Sequence, residues 1–305
     1  MIAKTIGLIA APYTPMRPDG ALNLDRIPAY ADFLHRNGVV GAFVNGTTGE
    51  GLSLTTAERI AMARAWIKAA AGRLKIIIHV GHPAIEDSRL LAAAAQADGA
   101  DGIAAMAPIF FKPATLEALA VSCQAIAAAA PDLPFYYYHI PSMTGVTLPV
   151  AELLRTAAER IPNLAGAKFT FEDLMDFQEC LELDHGRFDV LFGRDEMLLA
   201  GLAMGARGAV GSTYNFAAPL YHRLLAAFAR GDLAEARTLQ RQAAAIIQFA
   251  MLGQWPALPA SKAIMRLLGF HCGPCRLPLP TLTAEQVKSL RQGLDAMGFF
   301  TWACR

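Results

Sequence analysis

Among seven lysines and twenty arginines, one lysine keeps apolar company. Residues 164–173 read LAGAKFTFED, and Lys168 sits among small and aromatic residues just before a polar break. An ammonium group there costs solvation energy unless its head reaches water, a partner or a ligand. Desolvation favours the neutral amine. A neutral amine attacks carbonyl carbon, and the resulting iminium draws electrons from the adjacent carbons. The competing reading is a structural lysine paired with a carboxylate, and position alone gives the two equal weight.

Two other stretches could meet that amine. FVNGTTGEGLSL, residues 43–54, sets Thr47 and Thr48 in a glycine-bracketed turn. Two hydroxyls and successive backbone N–H groups in such a turn make a compact anion site. The lysine of a phosphate-binding P-loop is missing, which argues against a nucleotide and leaves a carboxylate beside a ketone as a fitting ligand. Taken alone, such a loop is more often a capping turn. In FYYYHIPSMTG, residues 135–145, strand alternation puts Tyr136 and Tyr138 on one face, with Tyr138 nearer the end. A phenol there can shuttle a proton to or from a substrate oxygen, although a core tyrosine with a satisfied hydroxyl is about as frequent. His139 faces the other way and is given no catalytic role.

The elements that must position these groups repeat along the chain. Strand patterns fall at 6–12, 41–46, 76–81, 102–108, 135–140, 165–170, 190–193 and 208–212, with helix-like stretches between them. Strands apolar on both faces, each followed by a helix, pair in parallel under covered faces. Eight repeats predict an α/β fold, a closed (β/α)8 TIM barrel. Helical patterns alone follow, so the reading is a single unit over 1–305, with a barrel core at 1–216 and a helical extension at 217–305 packed on it. Thr55 with Glu58, and Thr283 with Gln286, read as capping boxes. An open doubly wound sheet would want G-x-G-x-x-G after its first strand, which is missing.

Barrel active sites form at the C-terminal ends of the strands, and that rule sorts the lysines. Lys4 and Lys75 lie at strand starts. Lys68, Lys262 and Lys288 lie on helical stretches, where solvated stems are expected. Lys112 is at the correct end but in a polar-edged loop. Lys168 alone lies inside a strand end.

Composition removes other classes. A formal charge of +1 gives no electrostatic case for a nucleic-acid or anionic-membrane partner. No apolar run approaches the roughly 18 residues of a membrane span. Pro12 and Pro15 interrupt the N-terminal apolar stretch, which reads as a first strand of a cytoplasmic protein rather than a signal peptide. The five cysteines are scattered, and the CGPC at 272–275 lies between prolines without the strand and helix a redox pair needs. Neither H-E-x-x-H nor a clustered Cys/His set suggests a metal.

Together the stretches VNGTTGEGLSL, YYYHIPSMTGV, GAKFTFEDL, FGRDE and GAVGSTYNF resemble the N-acetylneuraminate lyase family, within the pyruvate-dependent class I aldolases that include dihydrodipicolinate synthase. The resemblance runs from GLIAAPYTPM to the tail helices. It implies Lys168 as the Schiff-base residue, Thr47 and Thr48 on the pyruvate carboxylate, and Tyr138 as proton relay. It also implies Thr170, Gly193, Asp195, Glu196 and Ser212 around the hydroxyl chain of a sugar-derived substrate. Met143 stands where dihydrodipicolinate synthases usually carry an arginine for a second carboxylate, which disfavours that activity. Phe110 and Phe111 stand where many members supply a tyrosine to a neighbouring subunit, so the relay would use water or Tyr138 alone.

The expected activity is reversible cleavage of N-acetylneuraminate to pyruvate and N-acetylmannosamine, without cofactor or metal, in a homotetramer acting on small molecules. A shorter 2-keto-3-deoxy sugar acid as substrate, or a non-catalytic keto-acid sensor, are the alternatives.

Overall fold

The computed structural model describes residues 3–305; Met1 and Ile2, the start of the expected barrel core, lie outside the described residues. Eight parallel strands close in sequence order: β1 (Gly7–Ala10), β2 (Gly41–Val44), β3 (Lys75–His79), β4 (Gly102–Met106), β5 (Phe135–His139), β6 (Leu164–Phe169), β7 (Asp189–Phe192) and β8 (Gly208–Gly211), which pairs with β1. Each of the eight expected strands is present, with its bounds within two residues of those expected. The fold is the expected (β/α)8 barrel with further helices at its C-terminal end.

Between and after the strands run α1 (Ile27–Arg36), α2 (Thr56–Ala70), α3 (Ile85–Ala97), α4 (Leu116–Ala127), α5 (Pro141–Thr144), α6 (Val150–Ala158), α7 (Leu174–Gly186), α8 (Leu198–Ala203), α9 (Tyr214–Ala229), α10 (Leu233–Ala250), α11 (Ala257–Leu267) and α12 (Ala284–Ala296). Both capping boxes form, Thr55 with Glu58 opening α2 and Thr283 with Gln286 opening α12. Helix α9 is continuous across residues 216 and 217, so the C-terminal helices grow directly out of the barrel's last helix. No helix among the described residues is long and apolar enough to cross a membrane.

The core has two layers. Ile9, Phe43, Ile77, Tyr136, Leu191 and Val210 fill the barrel, while outward-facing residues such as Val44, Ile78 and Phe192 pack under the helices. Each fully buried side chain of this size contributes roughly 1.5–3 kcal/mol from the apolar area it removes from water. The N-terminal end is closed by polar contacts. Asp189 accepts from Thr5 Oγ1 at 2.7 Å and from Tyr136 OH at 2.9 Å, and Lys75 Nζ donates to the same threonine at 2.7 Å. That closure leaves the opposite end as the open mouth.

Lys68 and Lys288 are exposed, as solvated stems should be. Lys262 corrects that expectation, because its side chain is buried, 2.6 Å from Glu50, and donates to the Pro274 carbonyl at 2.7 Å. Helix α11 lies over the loop after β2, so the stem enters the protein and meets a carboxylate there. The cysteine pair sits in the irregular segment between α11 and α12. Burial pushes both thiols up to about 12, the opposite of what a redox pair requires.

Candidate active site

A bulge sets the direction of Lys168. Phe135 pairs with Leu164 but Tyr136 pairs with Gly166, so Ala165 is an extra residue in β6. Ala165 faces the barrel interior, and the extra residue flips the alternation beyond it. Ala167 and Phe169 therefore pack outward, and Lys168 turns inward opposite its register partner Tyr138. Glycine is required at 166, because a Cβ there would meet the Asp189 carbonyl oxygen at 2.1 Å.

Lys168 is 5% exposed, and its Nζ lies 3.9 Å from the centroid of the Tyr138 ring and 4.2 Å from that of Phe43. It makes no hydrogen bond or ion pair to any described residue. Two aromatic faces give back part of the hydration that a cation loses here, about 0.5–2 kcal/mol each. They leave the nitrogen lone pair without a competing donor. The reading of Lys168 as a structural partner of a carboxylate fails on this geometry; Lys75, held at the far end with Asp189, Thr5 and Tyr136, fits it instead.

Tyr138 OH lies 3.2 Å from Thr47 Oγ1. Thr47 and Thr48 project from a turn in which Glu50 N donates to the Thr47 carbonyl and Gly51 N to that of Gly46. Asn45 and Glu50 bracket this turn in left-handed backbone. Asn45 is held there by its Nδ2, which donates to the Arg59 carbonyl, and Glu50 by Lys262. The strain is confined to two residues that are each anchored from below.

On the facing wall, Thr170 presents a buried hydroxyl oxygen without a partner. A Cβ at Gly193 would lie 2.1 Å from that oxygen, so the glycine leaves the hydroxyl its place in the wall. Asp195 accepts from the backbone N of Thr213 at 2.8 Å through Oδ2, which leaves Oδ1 free. Glu196 pairs with Arg194 at 3.0 Å. Burial, and after it the neighbouring Asp195, raises the Glu196 carboxyl above its usual range. Thr47, Thr48, Tyr138, Lys168, Thr170, Gly193, Asp195, Glu196 and Ser212 all line one cavity of about 250 Å3 at the barrel mouth. An adjoining cavity of about 480 Å3 continues from Thr47, Thr48 and Ser212 toward Leu52, Met143 and Leu258.

Sequence reasoning missed Phe43, Arg194 and three residues of the C-terminal helical region. Phe43 supplies an aromatic face, and strict alternation along 41–46 would have marked it as inward. Arg194 lines the cavity and pairs with Glu172 and Glu196; its place between Gly193 and Asp195 was the available signal. Ile247, Met251 and Ala257, from the C-terminal helices, close one side, and nothing in their local pattern indicated this. Buried His79 is inward-facing too. Its Nδ1 lies 3.1 Å from the Asn45 carbonyl and Nε2 has no partner, while burial and the Arg59 charge lower it well below the usual histidine range. Among the described residues, no cluster of three or more His, Cys, Asp or Glu could hold a metal ion.

The dihydrodipicolinate synthetase family matches residues 4–297. N-acetylneuraminate lyase of Mus musculus is 45% identical over 303 residues, covering 98% of this chain and 94% of that protein. The Xenopus tropicalis lyase is 48% identical, covering 90% of each. Among solved structures, Proteus mirabilis N-acetylneuraminate lyase superposes with a TM-score of 0.94 at 41% identity, covering 97% of this chain and 100% of that one. With the barrel, the bulged strand and this span of similarity together, the chain belongs to the dihydrodipicolinate synthetase family, and within it is similar to the N-acetylneuraminate lyases.

Proposed function

We propose that the protein is a Schiff-base aldolase that reversibly cleaves N-acetylneuraminate to pyruvate and N-acetylmannosamine. The observation that carries this reading is the unpaired Lys168 amine, held against two aromatic faces at the barrel mouth. The lyases to which the chain is similar support the choice of substrate.

In this mechanism the Lys168 lone pair attacks C2 of the open-chain keto acid, and loss of water leaves an iminium. Its positive charge is stabilised by the Tyr138 and Phe43 faces. As the C3–C4 bond breaks, its electron pair moves into the C2–C3 bond and the iminium π pair goes to nitrogen, giving an enamine. The C4 hydroxyl becomes the aldehyde of N-acetylmannosamine. Its proton passes to the Tyr138 oxygen, while the phenol hands its own toward Thr47 or the substrate carboxylate. Protonation at C3 and addition of water at C2 then release pyruvate and restore the amine.

Thr47 and Thr48 would hold the keto-acid carboxylate, and Thr170, Gly193, Asp195, Glu196 and Ser212 would face the hydroxyl chain. A substrate without hydroxyls would leave those groups unpaired. The same reading makes residues 1–305 one folded unit, a cytoplasmic homotetramer that uses no cofactor. Comparing turnover of N-acetylneuraminate with that of 2-keto-3-deoxygluconate tests the assignment. Preference for N-acetylneuraminate supports it, and preference for the shorter acid removes it.

A further inference from the structure

A further cavity, of about 660 Å3, opens away from Lys168, between the loop after β1, helix α11 and the segment leading into α12. Its wall carries Arg26, Arg266 and His271 and no aspartate or glutamate. Neither guanidinium has a hydrogen-bond or ion-pair partner among the described residues. Many other arginines do, for example Arg64 with Asp98, Arg73 with Asp32 and Arg160 with Glu117. Lys262 also reaches this wall, but Glu50 neutralises it from the protein side. Cys272 and Cys275 are there too, and burial pushes both thiols up to about 12, so they add no negative charge at neutral pH.

The result is a concave surface that combines two unneutralised guanidinium groups with the apolar residues Met16, Leu282 and Val287. A recess lined by one sign of charge concentrates the opposite ion. Guanidinium forks match carboxylate and phosphate oxygens bidentately. The volume lies within the roughly 300–1,000 Å3 of small-molecule sites, larger than an inorganic anion needs.

We propose that this cavity binds a small organic anion, its phosphate or carboxylate head on Arg26 and Arg266 and its carbon body against Met16, Leu282 and Val287. The site is separate from the Lys168 cavity. One buried ion pair, Lys262–Glu50, joins its wall to the turn that bears Thr47 and Thr48.

Isothermal titration of the full chain with inorganic phosphate, and separately with succinate, tests this at constant ionic strength set by potassium chloride. The expected result is saturable binding of at least one anion at one site per chain, weakened at least tenfold in the Arg26→Ala/Arg266→Ala variant. The tighter of the two anions identifies the head group. Circular dichroism and the thermal midpoint verify that the double variant is folded; should it not be, the single Arg266→Gln change at an exposed helix position gives the same comparison. Binding of equal strength in wild type and variant would assign the anion to the Thr47–Thr48 turn and overturn the proposal. So would the absence of saturable binding by either anion.

Discussion

Lys168 and Tyr138 are register partners on adjacent strands, and the lysine nitrogen rests 3.9 Å from the centre of the tyrosine ring. The contact depends on one extra residue in β6. Without the Ala165 bulge, Lys168 would point into the helical layer and Phe169 into the barrel. The aldolase reading depends on that inversion.

Replacing Lys168 with methionine separates chemistry from stability. Lyase activity should fall by at least about 10³-fold, because no other amine can form the iminium. The fold loses no hydrogen bond, so the thermal midpoint should hold or rise as an unpaired buried polar group is removed. Activity assays and a melting curve on the same preparation check both. A large drop in midpoint would mean that Lys168 has a structural partner.

Tyr138→Phe keeps the ring beside the amine and removes the hydroxyl that meets Thr47. Loss of a proton relay should lower kcat by about 10²–10⁴-fold. Iminium formation with pyruvate should persist, read as borohydride-dependent labelling. Unchanged kcat would exclude the phenol as the relay.

Glu196→Gln should lower kcat/KM for N-acetylneuraminate by about 10- to 100-fold, the cost of losing a charged acceptor for substrate hydroxyls. Labelling with pyruvate alone should be unaffected. Because burial raises the folded-state pKa of Glu196, its ionisation costs stability above the usual carboxylate value of 4.5 and costs nothing below it. The variant should therefore melt higher than wild type at pH 7, with the gain vanishing below about pH 4.5. A variant that melts lower at pH 7 would show that the Arg194 pair outweighs burial.

His139 gives an acid-stability signature away from the chemistry. Burial among Tyr137, Phe169 and Phe171 lowers it from 6.5 to about 4. The folded state keeps it neutral while the unfolded chain takes up a proton. Its contribution is whole above pH 6.5 and is lost as pH falls toward 4, on the order of 3 kcal/mol. Wild type should lose more stability over that interval than His139→Phe, and parallel stability curves would contradict the assignment.

The barrel was legible because its eight short apolar strands and intervening helical periods are local patterns. Lys168, the Thr47–Thr48 turn and Tyr138 were legible because each ends or follows a strand, whereas Thr170, Gly193, Asp195, Glu196 and Ser212 came only from the family resemblance; all nine line one cavity. The bulge at Ala165 was not, since nothing in LAGAKF distinguishes strict alternation from an inserted residue. Lys262 was misread because helical position says little about burial once another element lies over the helix. The roles of Ile247 and Met251 were hidden for a related reason. Helices distant in sequence cover the mouth, and only packing shows which of their residues reach it.

The central claim is that one amine becomes covalently attached to a keto acid. Borohydride reduction in the presence of pyruvate, followed by peptide mass mapping, reads this directly. The account predicts a single modified peptide carrying Lys168; modification at Lys112, or at no lysine, would contradict it.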